Sequence, residues 1–430
     1  MLIIYSALRL GGIETFFVRL ARERHRQGKS TNILLLDKYS ESDSELLQKM
    51  RAVANVYTFE DVFYDYPILV RRFPLLTPMK KTGVDKVLEF ATQIHVTNGK
   101  NALLADRLNN VASKNLPITV GVYHSLEFAW GGKQLPYFER INREFVLKHQ
   151  PSDNLLCFAS STKNFLQDRL SVQIENAKEF RLGVIESTHR HARQPHELRR
   201  TKTSDAVLKI CAVGRLVEFK SYNLWMLDVI KTLRERNIPV LFDIYGDGPL
   251  TNKIQAKIDA LGLTDLVTMR GSFEYSKFDD VVSGYDIFIG SGTAIIQAAF
   301  CGVPSIIGIE SLENPVSYGF FSDYSEYEYH HPALSFPKRP VVELIEEFKD
   351  MSLEQREELS RQHVEAAEKF SMTAVAQNFD QPYLTAVDNF NYSRVAYSLS
   401  EKIFSLKHKL MGRRVEYTKR KFDKVEVDKR

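Results

Sequence analysis

"LKICAVGRLVEFKSYNLWMLDVIKTLRERNIPVLFDIYGDGPL", residues 208–250, decides the fold. A short apolar run opens it, a helical stretch around "NLWMLDVIKTLRERN" follows, and a second apolar run, "VLFDIY", closes it. Strand, helix, strand in that order makes one βαβ unit of a parallel sheet. Downstream the pattern repeats through the helix "TNKIQAKIDALG", the strands "LVTMRGSF" and "YDIFIGSG", the helix "TAIIQAAFCG" and the strand "VPSIIGI".

The N-terminus carries the same pattern. "LIIYSA" suits a buried strand, and in "LRLGGIETFFVRLARERHRQGK" Ile13, Phe16, Phe17, Leu20 and Ala21 recur at helical spacing. Arg19, Arg22, Arg24 and Arg26 fall mostly off that face, and Gly28 is a natural helix stop. "TNILLLD", "ANVYTF", "QIHVTN", "ITVGVYH" and "LLCFAS" continue the strands to about residue 185. Between the two series, residues 187–206 are polar and basic without hydrophobic period, which predicts a linker or long surface loop. The expected organisation is therefore an N-terminal Rossmann-like domain over 1–186, the linker, a C-terminal Rossmann-like domain over 207–380, and a helical crossover with a basic tail over 381–430.

Composition bounds the rest. A chain of 430 residues with 44% hydrophobic content supports two domains, each with its own core. Cys157, Cys211 and Cys301 lie in apolar stretches at wide spacing, which suits buried thiols rather than a disulfide framework or metal cage. With no long apolar run and no secretory leader, the expected location is cytoplasmic. Net charge is +4, but residues 394–430 hold 12 Lys/Arg against 5 Asp/Glu, so the basic character belongs to the tail. Neither half carries the G-x-G-x-x-G dinucleotide fingerprint after its first strand, which argues against a dehydrogenase.

Chemistry concentrates at strand ends of the second half. Arg215 and Lys220, in "GRLVEFK", are two cations on a loop at a strand's carboxyl end, suited to a diphosphate whose charge grows as it leaves. "GSGT" closes a strand and opens a helix, so small residues let backbone N–H groups approach an anion. His189, His191 and His196 sit in the basic linker without a cysteine or carboxylate cluster of ligand spacing.

The ordered set "GGIE", "GRLVEFK", "IYGDGPL", "MRGSFEYSKFDDVVSGYDIFIGSG" and "IIQAAFCGVPSI" resembles the retaining glycosyltransferases of family 4 and their GT-B relatives. The resemblance runs to about residue 380 and is strongest from Cys211 to Ile307. It implies an α/β protein of GT-B class, two Rossmann-like domains facing each other across a cleft, with donor in the C-terminal lobe and acceptor in the N-terminal one. Carried over residue by residue, it places Arg215 and Lys220 on the donor diphosphate, joined by the backbone of Gly292, Thr293 and Ala294. Arg270 and Gly271 match the segment that holds the nucleobase, Gly11 and Gly12 the N-terminal turn facing the donor phosphate, and His124 a histidine near the transferred sugar.

Relatives also carry a spaced pair of glutamates, one near the sugar and one on the ribose. Gln297 matches the second, and no acidic residue between Asp286 and Gln297 supplies the first. Glutamine still hydrogen-bonds a ribose hydroxyl through its carbonyl, without the charge that strengthens the bond.

The expected function is sugar transfer from a nucleotide diphosphate sugar to a glycan or lipid-linked acceptor, with retention and without a metal or other cofactor. Two alternatives remain at this point: a GT-B-shaped nucleotide-sugar epimerase, which needs cleft carboxylates for proton transfer, and a non-catalytic nucleotide-sugar-binding or scaffold subunit. Residues 69–81, which mix exposed-looking Leu and Phe with four cations, and the tail 394–430 are the expected contacts with an anionic membrane surface. No aromatic-interleaved basic patch points to nucleic acid.

Overall fold

Apolar runs buried on both faces form parallel strands, because helices must cover each side of such a sheet. β1 (Leu2–Tyr5), β2 (Asn32–Leu35), β3 (Asn55–Thr58), β4 (Ile94–Val96), β5 (Ile118–Val122), β6 (Leu155–Cys157) and β7 (Lys178–Glu179) form one sheet in the order β3-β2-β1-β4-β5-β6-β7. All of its pairings are parallel. β8 (Leu208–Val213), β9 (Val240–Tyr245), β10 (Val267–Gly271), β11 (Ile287–Gly290) and β12 (Ser305–Ile307) form a second parallel sheet, ordered β10-β9-β8-β11-β12. Each sheet thus belongs to a doubly wound α/β unit, as the sequence pattern implies. Only β7 among these strands escapes the hydrophobic pattern: Lys178 and Glu179 are polar, and pairing with β6 alone makes them a strand.

The structure, a computed structural model, describes residues 1–9, 12–66, 73–123, 127–128, 135–158, 160–170, 172–186, 207–274, 277–324, 332, 334–381, 384–387 and 389–411. One unit comprises Met1–Gly183 with Val375–Arg430, the other Val184–Ala374. The linker expected over 187–206 lies outside the described residues.

In the first unit the helix Gly12–Arg26 buries Phe16, Phe17, Leu20 and Ala21, as their spacing requires. Two of its arginines depart from the solvent face: Arg19 and Arg24 are buried. The physical reason for Arg24 is the returning C-terminal segment, whose Asp380 accepts from the Arg24 Nη1 at 2.6 Å, while Arg24 Nε donates to Thr31 at 3.1 Å. Burial alone would raise the Asp380 carboxyl; Arg24 and Lys29 outweigh it and hold the group below its usual range. The same segment ends in the helix Arg394–Met411, which lies on the helix Tyr137–Glu144 through Phe404 against Phe138 and a Tyr397 hydroxyl donating to Asn142 at 2.8 Å.

A correction concerns residues 69–81. Residues 69–72 lie outside the described set, and of the rest Leu75 is buried in the core while Phe73 and Leu76 are half-buried. Of the apolar side chains expected at the surface there, Leu75 belongs to the interior. The three cysteines are free and buried, and burial pushes the Cys157 thiol up to about 12. No described helix is long and apolar enough to cross a membrane.

Candidate functional site

A doubly wound sheet binds ligands where its strand order reverses, outside the carboxyl ends of the two diverging strands. In the second unit that point lies between β8 and β11. Three loops that follow strands converge on it: residues 214–221 after β8, 291–292 after β11, and 308–312 after β12. Gly308 N donates to Gly290 O at 2.8 Å, Ser221 Oγ to Leu312 O at 2.6 Å, and Ser311 N to Phe219 O at 2.6 Å.

The loop after β8 is set by the "GDG" turn beneath it. Gly246 has φ +130°, and a Cβ there would stand 1.9 Å from the Gly214 carbonyl oxygen, so only glycine permits the approach. Leu216 N donates to Asp247 O at 3.0 Å, which fixes the loop at the height where Arg215 turns out to solvent. Lys220 folds back instead: its Nζ lies 2.8 Å from where a Gly214 Cβ would be. Neither cation makes a salt bridge among the described residues.

Across the crevice, Gly292 precedes the helix Thr293–Phe300 with φ +63° and ψ −147°, a conformation reserved for glycine, and faces open space. That helix start has no side-chain cap, so its first backbone N–H groups are not closed off by a capping side chain. Cations on one side and a helix N-terminus on the other are the elements from which an anion site is built.

One carboxylate belongs to this site and was missed by the motif reading. Glu310 accepts from the buried Ser291 hydroxyl at 2.6 Å, and Tyr222, buried at the start of the helix Tyr222–Glu235, reaches Ser291 Oγ at 3.5 Å. Burial lowers the Lys220 ammonium below its usual range; Glu310 opposes this and Arg215 adds to it. The signal was available, since Glu310 follows the strand "VPSIIGI" directly and so stands at a strand's carboxyl end, as Arg215 does.

The remaining sequence-predicted residues distribute as follows. Thr293 and Ala294 open the helix at the crevice. Gln297, one turn on, is buried and its Nε2 donates to Asp279 at 2.7 Å. Arg270 and Gly271 end β10, two strand spacings from β8, roughly 10 Å. Arg270 is exposed and pairs with Asp243 at 3.2 Å, and that carboxylate also accepts from Tyr285 at 2.5 Å. Gly12 starts the first helix of the other unit with open space around it. Gly11 and His124 lie outside the described residues.

In the first unit the strand order reverses between β1 and β4, and a pocket of about 500 Å³ sits there, lined by Tyr5, Ser6, Asn98, Lys100, Tyr397 and Glu401 among others. Asn98 caps the helix Gly99–Ala112 by accepting from Asn101 N at 2.9 Å, and Lys100 pairs with Glu401 at 2.8 Å. This pocket offers hydroxyl, amide and carboxylate groups rather than an open anion site.

Residues 196–310 match the family model "Glycosyl transferases group 1", a segment that holds Arg215, Lys220, Gln297 and Glu310. Among solved structures the chain is similar to HepE of Anabaena in complex with UDP, with a TM-score of 0.58 at 13% identity, covering 88% of this chain and 98% of that one. A glycosyltransferase of Rickettsia africae ESF-5 gives a TM-score of 0.56 at 11% identity over 87% and 95%. The lipopolysaccharide outer core galactosyltransferase WaaB, apo form, gives 0.52 at 13% over 88% and 98%. At these identities the likeness is one of fold. Among curated protein sequences none matches the chain.

Proposed function

We propose that this chain, which has the GT-B fold and whose residues 196–310 match the group 1 glycosyl transferases, moves a sugar from a nucleotide diphosphate donor to a hydroxyl group of a glycan or glycolipid acceptor. The observation that carries the reading is the convergence, at the β8/β11 reversal, of two cations without salt-bridge partners among the described residues and a helix start without a side-chain cap, opened by left-handed Gly292.

The sugar's bond to the diphosphate oxygen breaks with its electron pair leaving on the diphosphate, and the acceptor oxygen forms the new bond as its proton passes to the departing diphosphate. Arg215, Lys220 and the N–H groups at Thr293 and Ala294 stabilise the charge that develops on the leaving group. Two cations and a helix N-terminus in one crevice supply the charge that a divalent metal supplies elsewhere, which supports metal-independent transfer. Glu310 opposes the lowering of the Lys220 ammonium by burial and orients Ser291. By resemblance, Arg270 and Gly271 hold the nucleobase, Gln297 the ribose through its carbonyl, Gly11 and Gly12 face the donor phosphate, and His124 lies near the transferred sugar.

Retention of anomeric configuration and a role in surface polysaccharide or glycoconjugate biosynthesis complete the reading. The pocket of the first unit, with its hydroxyl- and amide-rich lining, is the proposed acceptor site. A cytoplasmic location, held peripherally at the inner face of the cytoplasmic membrane, fits a lipid-linked acceptor.

Incubation with a panel of nucleotide sugars, with and without candidate acceptors, tests the proposal against an Arg215→Ala/Lys220→Ala variant. Acceptor-dependent release of nucleotide that the variant loses supports transfer. Interconversion of donors would replace it with epimerisation, and binding without turnover would reduce the chain to a scaffold.

A further inference from the structure

The helix Arg394–Met411 has two faces of opposite fate. One packs on the first unit: Tyr397 and Ser398 are buried, Phe404 meets Phe138, and Glu401 pairs with Lys100. The other carries Val395, Leu399, Ile403, Leu406 and Leu410, exposed by 56–78%. These are five of the twelve exposed large apolar side chains among the described residues, concentrated on one helix. At about 100° per residue they fall in a stripe roughly 80° wide, so they form one continuous surface.

Charge decides what such a stripe meets. Lys402, Lys407 and Lys409 flank it, while Glu401, the helix's only acid, is turned to the packed face. Leu399, Ile403, Leu406 and Leu410 keep a heptad spacing, so a second copy is geometrically admissible, but the flanking positions hold only Ser400, Lys402, Lys407 and Lys409. Either orientation of a helix pair would set lysine against lysine with no acid to answer it. Residues 412–430, which follow directly, add eight Lys/Arg against four Asp/Glu. On the other flank Lys402 Nζ lies 5.1 Å from the centre of the Phe73 ring, so a lysine bordering the stripe also borders the segment after residue 72.

We propose that this helix lies in the headgroup layer of an anionic lipid bilayer, with Val395, Leu399, Ile403, Leu406 and Leu410 immersed and Lys402, Lys407 and Lys409 against the lipid phosphates. The inference deepens the peripheral location given above by naming the surface. It is read without donor or acceptor, so loss of the transferase reading leaves it standing.

The test is flotation of the full chain with vesicles of phosphatidylcholine alone and of phosphatidylcholine mixed with phosphatidylglycerol. The wild type floats with the anionic vesicles only, and added salt weakens it. Leu399→Ser/Ile403→Ser/Leu406→Ser, all at exposed positions, lowers the bound fraction about ten-fold with an unchanged melting temperature. Lys402→Gln/Lys407→Gln/Lys409→Gln lowers it less and flattens the salt dependence. Equal flotation of wild type and serine variant overturns the proposal. So does absence of flotation together with concentration-dependent self-association that the serine variant abolishes, which would make a second copy the occupant.

Discussion

The two sheets reverse their strand order in the same way, yet the crevices at the reversals differ in how their charges and helix starts are answered. In the first unit the helix start at Gly99 is closed by the Asn98 side chain and crowded by Asn142, 2.5 Å from where a Gly99 Cβ would stand, and Lys100 is neutralised by Glu401. In the second unit the helix start at Thr293 has no side-chain cap, and Arg215 and Lys220 have no salt bridge among the described residues. The C-terminal segment makes the difference in the first unit: it returns from the second and brings Asp380 to Arg24 and Glu401 to Lys100. One topology thus holds two cations without salt bridges among the described residues in one unit, and a lysine answered by a glutamate in the other.

The comparison breaks most visibly if the second unit's cations are removed. Arg215→Ala/Lys220→Ala should lower acceptor-dependent turnover by about a thousand-fold or more, since each leaving-group contact of this kind accounts for roughly 10²–10³ in rate. The melting temperature should stay within a few degrees, because Arg215 is exposed and neither cation is salt-bridged among the described residues. In the first unit the corresponding change should appear in stability rather than turnover. Asp380→Asn leaves the buried Arg24 guanidinium poorly paired and should cost about 2–3 kcal/mol in urea unfolding, below the value for a fully buried pair because Asp380 is partly exposed. The sign with pH follows from the lowered carboxyl: its contribution is complete above the usual aspartate range near ~4 and fades as pH falls through the folded value, so wild type and variant should converge in acid.

Smaller changes sharpen the anion site. Gly292→Ala meets open space, so it tests conformation alone; at φ +63° and ψ −147° it should weaken nucleotide affinity about ten-fold by titration calorimetry. Glu310→Gln removes the group that raises Lys220 against burial, so the ammonium deprotonates at lower pH and the alkaline limb of the rate profile moves down. An unmoved limb would show that Glu310 only supports Ser291. Gln297→Ala should have the smallest effect, a few-fold rise in donor KM, since the Nε2 is already given to Asp279 and only the carbonyl is proposed for ribose.

β1 to β6 and β8 to β12 were legible because each falls on a short apolar run read from sequence, and the helices Gly12–Arg26, Tyr222–Glu235, Thr251–Ala260 and Thr293–Phe300 because each falls on a helical stretch read there. Arg215, Lys220 and Gly292 were legible for a second reason: they stand at strand ends, where loops carry chemistry. What escaped depends on chain segments distant in sequence. Arg24 reads as a surface cation until Asp380 arrives 356 residues later, and Leu75 reads as surface because local charge surrounds it. Glu310 escaped because the motif directs attention to the loop after β11, whereas the carboxylate comes from the loop after β12. The exposed stripe of the C-terminal helix was visible as basic and sparsely apolar, but which face packs was decided by Tyr397 and Phe404 meeting a helix far earlier in the chain.

The most direct measurement of the central claim is calorimetric titration of nucleoside diphosphates into three proteins: the wild type, Arg215→Ala/Lys220→Ala and Lys100→Ala. The account predicts that the diphosphate binds the wild type and Lys100→Ala alike and that the double variant loses it. Retained affinity in the double variant, with loss in Lys100→Ala, would place the anion in the first unit's crevice and contradict the assignment.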